Sequence, residues 1–319
     1  MMEQTFINSA AGEDRLIVTA GATYLDIDAY ACAIAMAELL CLEGKRAVPY
    51  SHAPCNYSVC PSLLEEGQLL RSLPSDDWSN SAHYIIVDVS DPAFLKDSVP
   101  LDRVVAIYDH HVGAEAFWSD RIGAASHIEF IGAAATLIYR EWKRSGLLHA
   151  MTRHTALLLI AAILDNTLDL TSSNTTPADI EAFEALCKQA DVGEQWRASY
   201  FAEVQTGVEA DLEHALLHDT KRITDCAILP PRVAQLCVWD ARSILDKQPQ
   251  IRLWLRGDDP WMVNVIDIKH RCSYFLCDDP HCQKGLAEAF DVRFASGIAR
   301  TSVPYLRKEI IKHIREIRG

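Results

Sequence analysis

Positive charge is what this chain has least of. Thirty lysines and arginines stand against 44 aspartates and glutamates, a formal charge of −14 over 319 residues, with a pI near 5.3. In a broad nucleic-acid or membrane-surface binder, lysine and arginine must outweigh phosphate repulsion, so both partner classes are set aside. A small phosphorylated substrate survives that test if metal ions supply the local positive charge. Long apolar runs are missing too: no window approaches the roughly 18 uninterrupted apolar residues of a spanning helix. The N-terminus lacks the basic-then-apolar order of a secretory signal, so the expected location is cytoplasmic. Ten cysteines without such a signal read as reduced thiols. The tightest group is Cys272, Cys277 and Cys282, near His270 and His281, but its four-residue gaps are wider than the CxxC pairs of many zinc sites, and zinc stays the minor reading. There is no internal repeat and no low-complexity tract. What the chain does have is apolar substance, 49% of its residues, enough for two domain cores.

The first half alternates strand and helix signals, the pattern of a parallel sheet covered by helices. Strands are expected at 16–19, 47–50, 84–88 and 104–108, and helices at 29–41, 63–72, 132–145, 151–164 and 178–189. The run from Thr171 to Pro177 is a turn and cap cluster. A long polar helix over 194–219 bridges to a second half with strands at 225–229, 234–239, 261–268 and 273–277 and helices at 242–248, 284–290 and 305–317. The expected fold class is α/β: an N-terminal parallel-sheet domain and a smaller mixed α/β C-terminal domain.

Chemistry collects at the strand ends. Asp109-His110-His111 follows the apolar run Val104–Tyr108 with no residue between. Side chains placed there project into the crevice beyond the carboxyl ends of a parallel sheet, where open α/β folds bind ligands. Leu16–Thr19 leads through Gly21 to Asp26 and Asp28, and Tyr84–Val87 ends on Asp88. Alone, Asp26 and Asp28 would read as caps of the Ala-rich helix that follows. With Asp88 and the 109–111 cluster at two further strand ends, the set reads as a site for Mn²⁺, Mg²⁺ or Co²⁺. Two such ions about 3.5–4 Å apart, bridged by a carboxylate and water, would make a nucleophile at neutral pH and clamp the attacking and leaving oxygens of a phosphoryl transfer. His110 would ligate, and His111, protonated beside an anionic substrate, would donate a hydrogen bond to a phosphoryl oxygen or the leaving group.

The order GxxxxDxD at 21–28, VDVSDP at 87–92, YDHH at 108–111 and ILDNTLDLTSSNTT at 163–176 resembles the DHH phosphoesterase superfamily. Within it, FAEVQTGVEADLEHALLHDTKRI at 201–223 and YLRKEIIKHI at 305–314 resemble the branch of family II inorganic pyrophosphatases, exopolyphosphatases and prune-like phosphodiesterases. The resemblance covers nearly the whole chain. It implies a DHH metal-binding catalytic domain over 1–192, then a linker helix and a C-terminal substrate-binding domain over 193–319, with catalysis in the cleft between them. It also implies that Asp26, Asp28, Asp88 and His110 ligate metal, Asp88 bridging two ions, with Asp109 behind them and His111 facing substrate. Substrate phosphate would be held by Lys221, Arg307 and Lys308, with Arg300 as the competing arginine. Pyrophosphatase-like relatives suggest a homodimer through a sheet edge.

Two positions depart from the pyrophosphatase pattern. A histidine ligand directly after the first glycine is replaced by Ala22, a change shared with exopolyphosphatase-like and prune-like relatives. The fourth-motif aspartate aligns with Asn166 in the pyrophosphatase register and with Asp165 in the prune-like one. On a helix these neighbours point about 100° apart, so only one of them can face a metal.

The resulting expectation is a metal-dependent phosphoesterase that hydrolyses a phosphoanhydride or phosphodiester (polyphosphate, pyrophosphate or nucleotide-like) by metal-activated water, with two manganese ions, or one. The alternative is a catalytically weak or silent member that binds a phosphate ligand or a partner, motivated by Ala22 and Asn166. A single-strand nuclease is disfavoured by the acidic charge and by the absence of the glycine-rich GGGH-type signature of such relatives.

Overall fold

The computed structural model describes residues 15–21, 24–65, 67–74, 76–95, 98–224, 226–257 and 259–318, in two compact units that divide after Glu194. The first holds five strands, β1 (Arg15–Thr19), β2 (Arg46–Pro49), β3 (His83–Val87), β4 (Val104–Asp109) and β5 (Ser126–Ile128). All pair in parallel, in the order β2-β1-β3-β4-β5. Such strands are covered on both faces, which is why Tyr84–Val87 and Val104–Tyr108 read as apolar runs without alternation. The chain winds one way from β1 to β2 and the other way from β1 to β3. The carboxyl ends of β1 and β3 therefore flank the switch point, where doubly wound sheets open a crevice.

Among its described residues this unit has seven α-helices, α1 (Ile27–Leu42), α2 (Asp76–Ser81), α3 (Pro92–Leu95), α4 (Glu115–Ile122), α5 (Ala134–Ser145), α6 (Arg153–Asn166) and α7 (Pro177–Ala190). On one face Ile17, Ile86 and Ile107 pack against Trp78 of α2, Leu95 of α3 and Trp118 of α4. On the other, α1 and α5 lie on the strands and α6 and α7 pack behind them. Every residue of α1 from Ile27 to Ala37 is buried. Its alanines allow the sheet and α6 to approach from opposite sides, so the helix has no polar face.

The second unit runs α8 (Glu194–Ala210), α9 (Leu212–His218), β6 (Thr220–Arg222), β7 (Arg232–Val238), α10 (Arg242–Asp246), α11 (Gln248–Trp254), β8 (Trp261–Asp267), β9 (Cys272–Cys277), α12 (Pro280–Phe290), β10 (Ile298–Arg300) and α13 (Arg307–Arg318). Its sheet, ordered β10-β9-β8-β7-β6, is mixed: β7 and β8 are parallel and the other pairs antiparallel. Met262, Phe275, Leu286, Ile310 and Ile314 form its core, the last two one turn apart on α13. Among the described residues, no helix is long and apolar enough to cross a membrane.

The fold class is as expected, and several elements differ from the sequence reading. Instead of a helix over 63–72 there is one 3-10 turn, Pro61–Leu63, and Gly67 at φ +78° breaks any helical continuation. The helix expected over 194–219 is two, because Asp211 leaves helical geometry at φ −142° and caps α9 by accepting from the His214 amide at 3.3 Å. The strand expected at 225–229 lies earlier, at Thr220–Arg222, where it pairs with β7. The short elements α2, α4, β5 and β10 had no clear periodic signal. The ten cysteines are free thiols; Cys277 and Cys282 sit in the apolar core, while Cys272 accepts a hydrogen bond from Arg300 Nε at 3.3 Å. Among the described residues no cysteine joins a metal-spaced group.

Candidate metal centre

Asp88 is the first residue beyond β3, in the left-handed region at φ +56°. Its amide still donates to Tyr108 O at 2.8 Å, so the residue is held by β4 while the chain turns. Aspartate tolerates this conformation better than branched or bulky residues do. The turn sets Asp88 Oδ1 3.4 Å from His110 Nε2 and 3.9 Å from His111 Nδ1. Ligand atoms of these three side chains all lie within 4.8 Å of one another.

Both histidines are oriented by neighbours. His110 Nδ1 lies 3.2 Å from Ile131 O, an acceptor, so the network places the proton on Nδ1 and leaves the Nε2 lone pair facing Asp88. Asp109 is fully buried at the end of β4, and its Oδ1 accepts from the His110 amide at 2.7 Å, the His111 amide at 3.1 Å and His111 Nδ1 at 2.9 Å. Burial opposes ionisation of Asp109, yet the His111 hydrogen bond and charge hold its carboxyl below the usual range. Burial pushes the His111 imidazole down, but Asp109 and Asp88 outweigh it and raise the pKa. Beneath the pair, Ser90 Oγ donates to His111 O at 3.0 Å, and the fully buried Trp118 donates from Nε1 to Ser90 O at 2.6 Å. A core tryptophan thus anchors the turn that carries the DHH motif.

Asp26 and Asp28 enter from α1. Asp26 is its N-cap, accepting from the Ala29 amide at 2.9 Å, and lies within hydrogen-bond reach of Asp88. Asp28, in the first helical turn and fully buried, has Oδ2 3.9 Å from His110 Nε2. Its two oxygens also accept from the Ala134 and Ala135 amides at 2.8 Å. The pair does not lie on an extended segment: α1 starts two residues earlier than the sequence suggests, so one carboxylate caps the helix and the other sits inside it.

Two buried atoms at the centre, Asp88 Oδ1 and His110 Nε2, have no hydrogen-bond partner, and neither does Asp109 Oδ2. Burial, and then the neighbouring carboxylates, drive the pKa of Asp88 and Asp28 well up. Among the described residues no lysine or arginine forms an ion pair with Asp26, Asp28, Asp88 or Asp109. Facing lone pairs among desolvated carboxylates are costly without a cation. A carboxylate oxygen and a neutral imidazole nitrogen are suitable donors for a divalent first-row ion.

Asp165 and Asn166 occupy the last turn of α6, both half-buried, outside the compact group of Asp88, His110 and His111. Asn166 Nδ2 donates to Ala162 O at 3.3 Å within its own helix. Directly after them, Leu168, Asp169 and Leu170 all have positive φ, 49°, 63° and 61°, a left-handed turn held by the Thr171 and Ser172 amides donating to Thr167 O at 2.9 Å. Ala22 lies outside the described residues.

In the second unit, Lys221 on β6 and Lys308 in the first turn of α13 are exposed. Arg307 is 8% exposed and turned inward: Nη1 donates to Asp219 O at 2.6 Å and Val233 O at 3.1 Å, and Nη2 to Asp219 Oδ1 at 2.6 Å. Sequence reasoning missed a second group with metal-like spacing, Asp240, Asp267 and His270. Its charge is already met. Arg242 and Lys269 bond Asp240, which the Arg242 hydrogen bond holds far below the carboxylate range, and Asp267 accepts the Ala241 and His270 amides.

No family model matches the chain. A relative from Staphylococcus haemolyticus (strain JCSC1435), described as a "Probable manganese-dependent inorganic pyrophosphatase", is 24% identical over 300 residues, 91% of this chain and 95% of the relative. Among solved structures, a "putative family II inorganic pyrophosphatase" from Methanococcus jannaschii matches with a TM-score of 0.64 at 20% identity, covering 96% of this chain and 100% of that one. An exopolyphosphatase-related protein from Bacteroides fragilis matches with a TM-score of 0.52 at 12% identity, over 95% and 91%. These likenesses establish the fold, and the neighbours belong to the branch that the sequence motifs resemble.

Proposed function

We propose that this chain, whose neighbours in sequence and fold are family II inorganic pyrophosphatases and exopolyphosphatase-related proteins of the DHH superfamily, is a metal-dependent hydrolase of phosphoanhydride or phosphodiester bonds. The observation that carries this reading is the facing pair Asp88 Oδ1 and His110 Nε2, buried, 3.4 Å apart and unpartnered. Asp26, Asp28, Asp88 and His110 would hold Mn²⁺, or Mg²⁺ or Co²⁺, with Asp165 or Asn166 as a further ligand. Bound there, such ions make water nucleophilic at neutral pH and polarise phosphoryl oxygens. His111, its Nδ1 fixed by Asp109 and its side chain 55% exposed, is the group that donates to substrate phosphate. Asp109 keeps that imidazole oriented and raises its pKa. Lys221, Arg307 and Lys308, or Arg300, are the candidates for phosphate contact on the second unit.

The test is calorimetric titration with Mn²⁺, together with phosphate release from pyrophosphate, tripolyphosphate and nucleotides. Metal binding and turnover that both disappear in Asp88→Asn and His110→Ala support the proposal. No binding and no release would overturn it. Binding without release selects the silent phosphate-ligand reading.

A further inference from the structure

A thiol reaches the candidate metal centre from inside α1. Cys32 stands four residues after Asp28, on the same face of the helix and one turn along, and helical side chains lean back toward the N-terminus. Its Sγ lies 3.3 Å from Asp28 Oδ1, and both residues are fully buried. Burial, and then the charges of Asp28 and Asp88, push the thiol pKa well up, so the sulfur keeps its proton and is the donor of this bond.

A carboxylate offers about four acceptor sites, two on each oxygen. On Asp28 Oδ1 both are taken, by the Ala135 amide at 2.8 Å and by the Cys32 thiol. On Oδ2 one is taken, by the Ala134 amide at 2.8 Å. Among the described residues, the site left over is therefore on Oδ2, the oxygen 3.9 Å from His110 Nε2. Without the thiol, Oδ1 would be open again and the carboxylate would have two oxygens to offer.

We infer that Cys32 is a positioning residue of the metal centre: its thiol closes Asp28 Oδ1, so that Asp28 meets a divalent ion through Oδ2 alone. The inference rests on the metal-dependent reading above and concerns a group that does not itself touch the ion. Groups that hydrogen-bond a metal ligand are typically worth about 10–100-fold in metal affinity. A thiol is a weak donor and two amides still hold Asp28, so the effect belongs at the lower end, about tenfold.

The experiment compares wild type, Cys32→Ala and Cys32→Ser. It reads Mn²⁺ affinity by calorimetry, the visible spectrum of the Co²⁺-loaded chain, the metal-free melting temperature, and phosphate release from pyrophosphate, tripolyphosphate and nucleotides. Serine keeps a donor of similar size at this position, and alanine removes it. The expected result is Mn²⁺ affinity about tenfold weaker in Cys32→Ala with shifted Co²⁺ d–d bands, both restored in Cys32→Ser. Affinity and bands unmoved in Cys32→Ala, whatever its melting temperature, would make Cys32 a packing residue and overturn the inference. So would a serine variant as weak as the alanine one, or a sulfur-to-cobalt charge-transfer band in wild type, which would make Cys32 a ligand. Each of these leaves the hydrolase reading intact as long as wild type binds Mn²⁺ and releases phosphate. The expected binding pattern with no phosphate release keeps the positioning role and overturns the hydrolase reading, and a wild type that binds neither metal overturns both.

Discussion

Asp28, in the first turn of α1, caps α5: its two carboxylate oxygens accept the Ala134 and Ala135 amides at 2.8 Å, across 106 and 107 residues of sequence. The helix has no cap of its own, since Ala133 at its N-cap position has no side-chain oxygen. A carboxylate there satisfies two orphan amides and favours the positive end of the helix dipole. The same group stands 3.9 Å from His110 Nε2. One side chain therefore ties the packing of α1 and α5 to the candidate metal centre.

Asp28→Ala should lower the stability of the metal-free protein by about 1–3 kcal/mol, since two buried amides lose their acceptor. It should also weaken Mn²⁺ binding. Thermal melts with and without Mn²⁺ separate the two effects, and an unchanged metal-free melting temperature would remove the capping role.

Asp88→Asn should do the opposite to the metal-free protein. Asparagine accepts φ +56° as readily as aspartate, and the change removes a carboxyl group whose ionisation burial and the neighbouring carboxylates oppose. Metal-free stability should hold or rise, while the stabilisation that Mn²⁺ gives wild type by mass action disappears. Retention of the full Mn²⁺ shift would show that Asp88 is not a ligand.

Arg307→Ala and Lys308→Ala, neighbours in sequence, should behave differently. Arg307 bonds Asp219 and Val233 O, so its loss should destabilise the second unit by about 1–3 kcal/mol, less than the roughly 3–5 kcal/mol for breaking a fully buried pair because Asp219 is partly exposed. Lys308 is exposed, and its replacement should change stability by less than about 0.5 kcal/mol while raising KM for a phosphate substrate. Denaturant unfolding and steady-state kinetics on both variants check this.

Gly132→Ala should be poorly tolerated. A Cβ there would stand 2.6 Å from Thr167 Cγ2 and 2.7 Å from Asp179 Oδ2, which accepts the Gly132 amide at 3.0 Å. Asp179 also accepts the Thr136 hydroxyl and caps α7 through Thr176, so the clash would loosen the junction of α5, α6 and α7. The expected cost is about 1–3 kcal/mol of overpacking, read as a lower unfolding midpoint.

Much of the first unit could be read from residue order. Apolar runs at 16–19, 84–87 and 104–108 are strands because β-prone stretches without alternation suit a sheet covered on both faces. The polar residues that follow them must then lie along its carboxyl edge. Asp88 and the DHH triplet were visible for that reason. The helices α2 and α4 and the strands β5 and β10 were not, since elements this short are specified by what they pack against. Trp118 of α4 shows this: its neighbours do not mark it, yet it anchors Ser90 beneath His111.

Pattern and residue type alone established the parallel α/β architecture, the mixed second half and the gathering of acids and imidazoles at strand ends, because those follow from local periodicity and from where strands stop. Tertiary structure decided which partner each side chain takes. It gave Asp28 a second task at α5, turned Arg307 inward to Asp219, satisfied Asp240 and Asp267 with nearby donors, and left Asp88 Oδ1 and His110 Nε2 facing each other unpaired. Most of those outcomes depend on contacts tens of residues apart in the chain, and only the packed fold selects among the partners that the sequence allows.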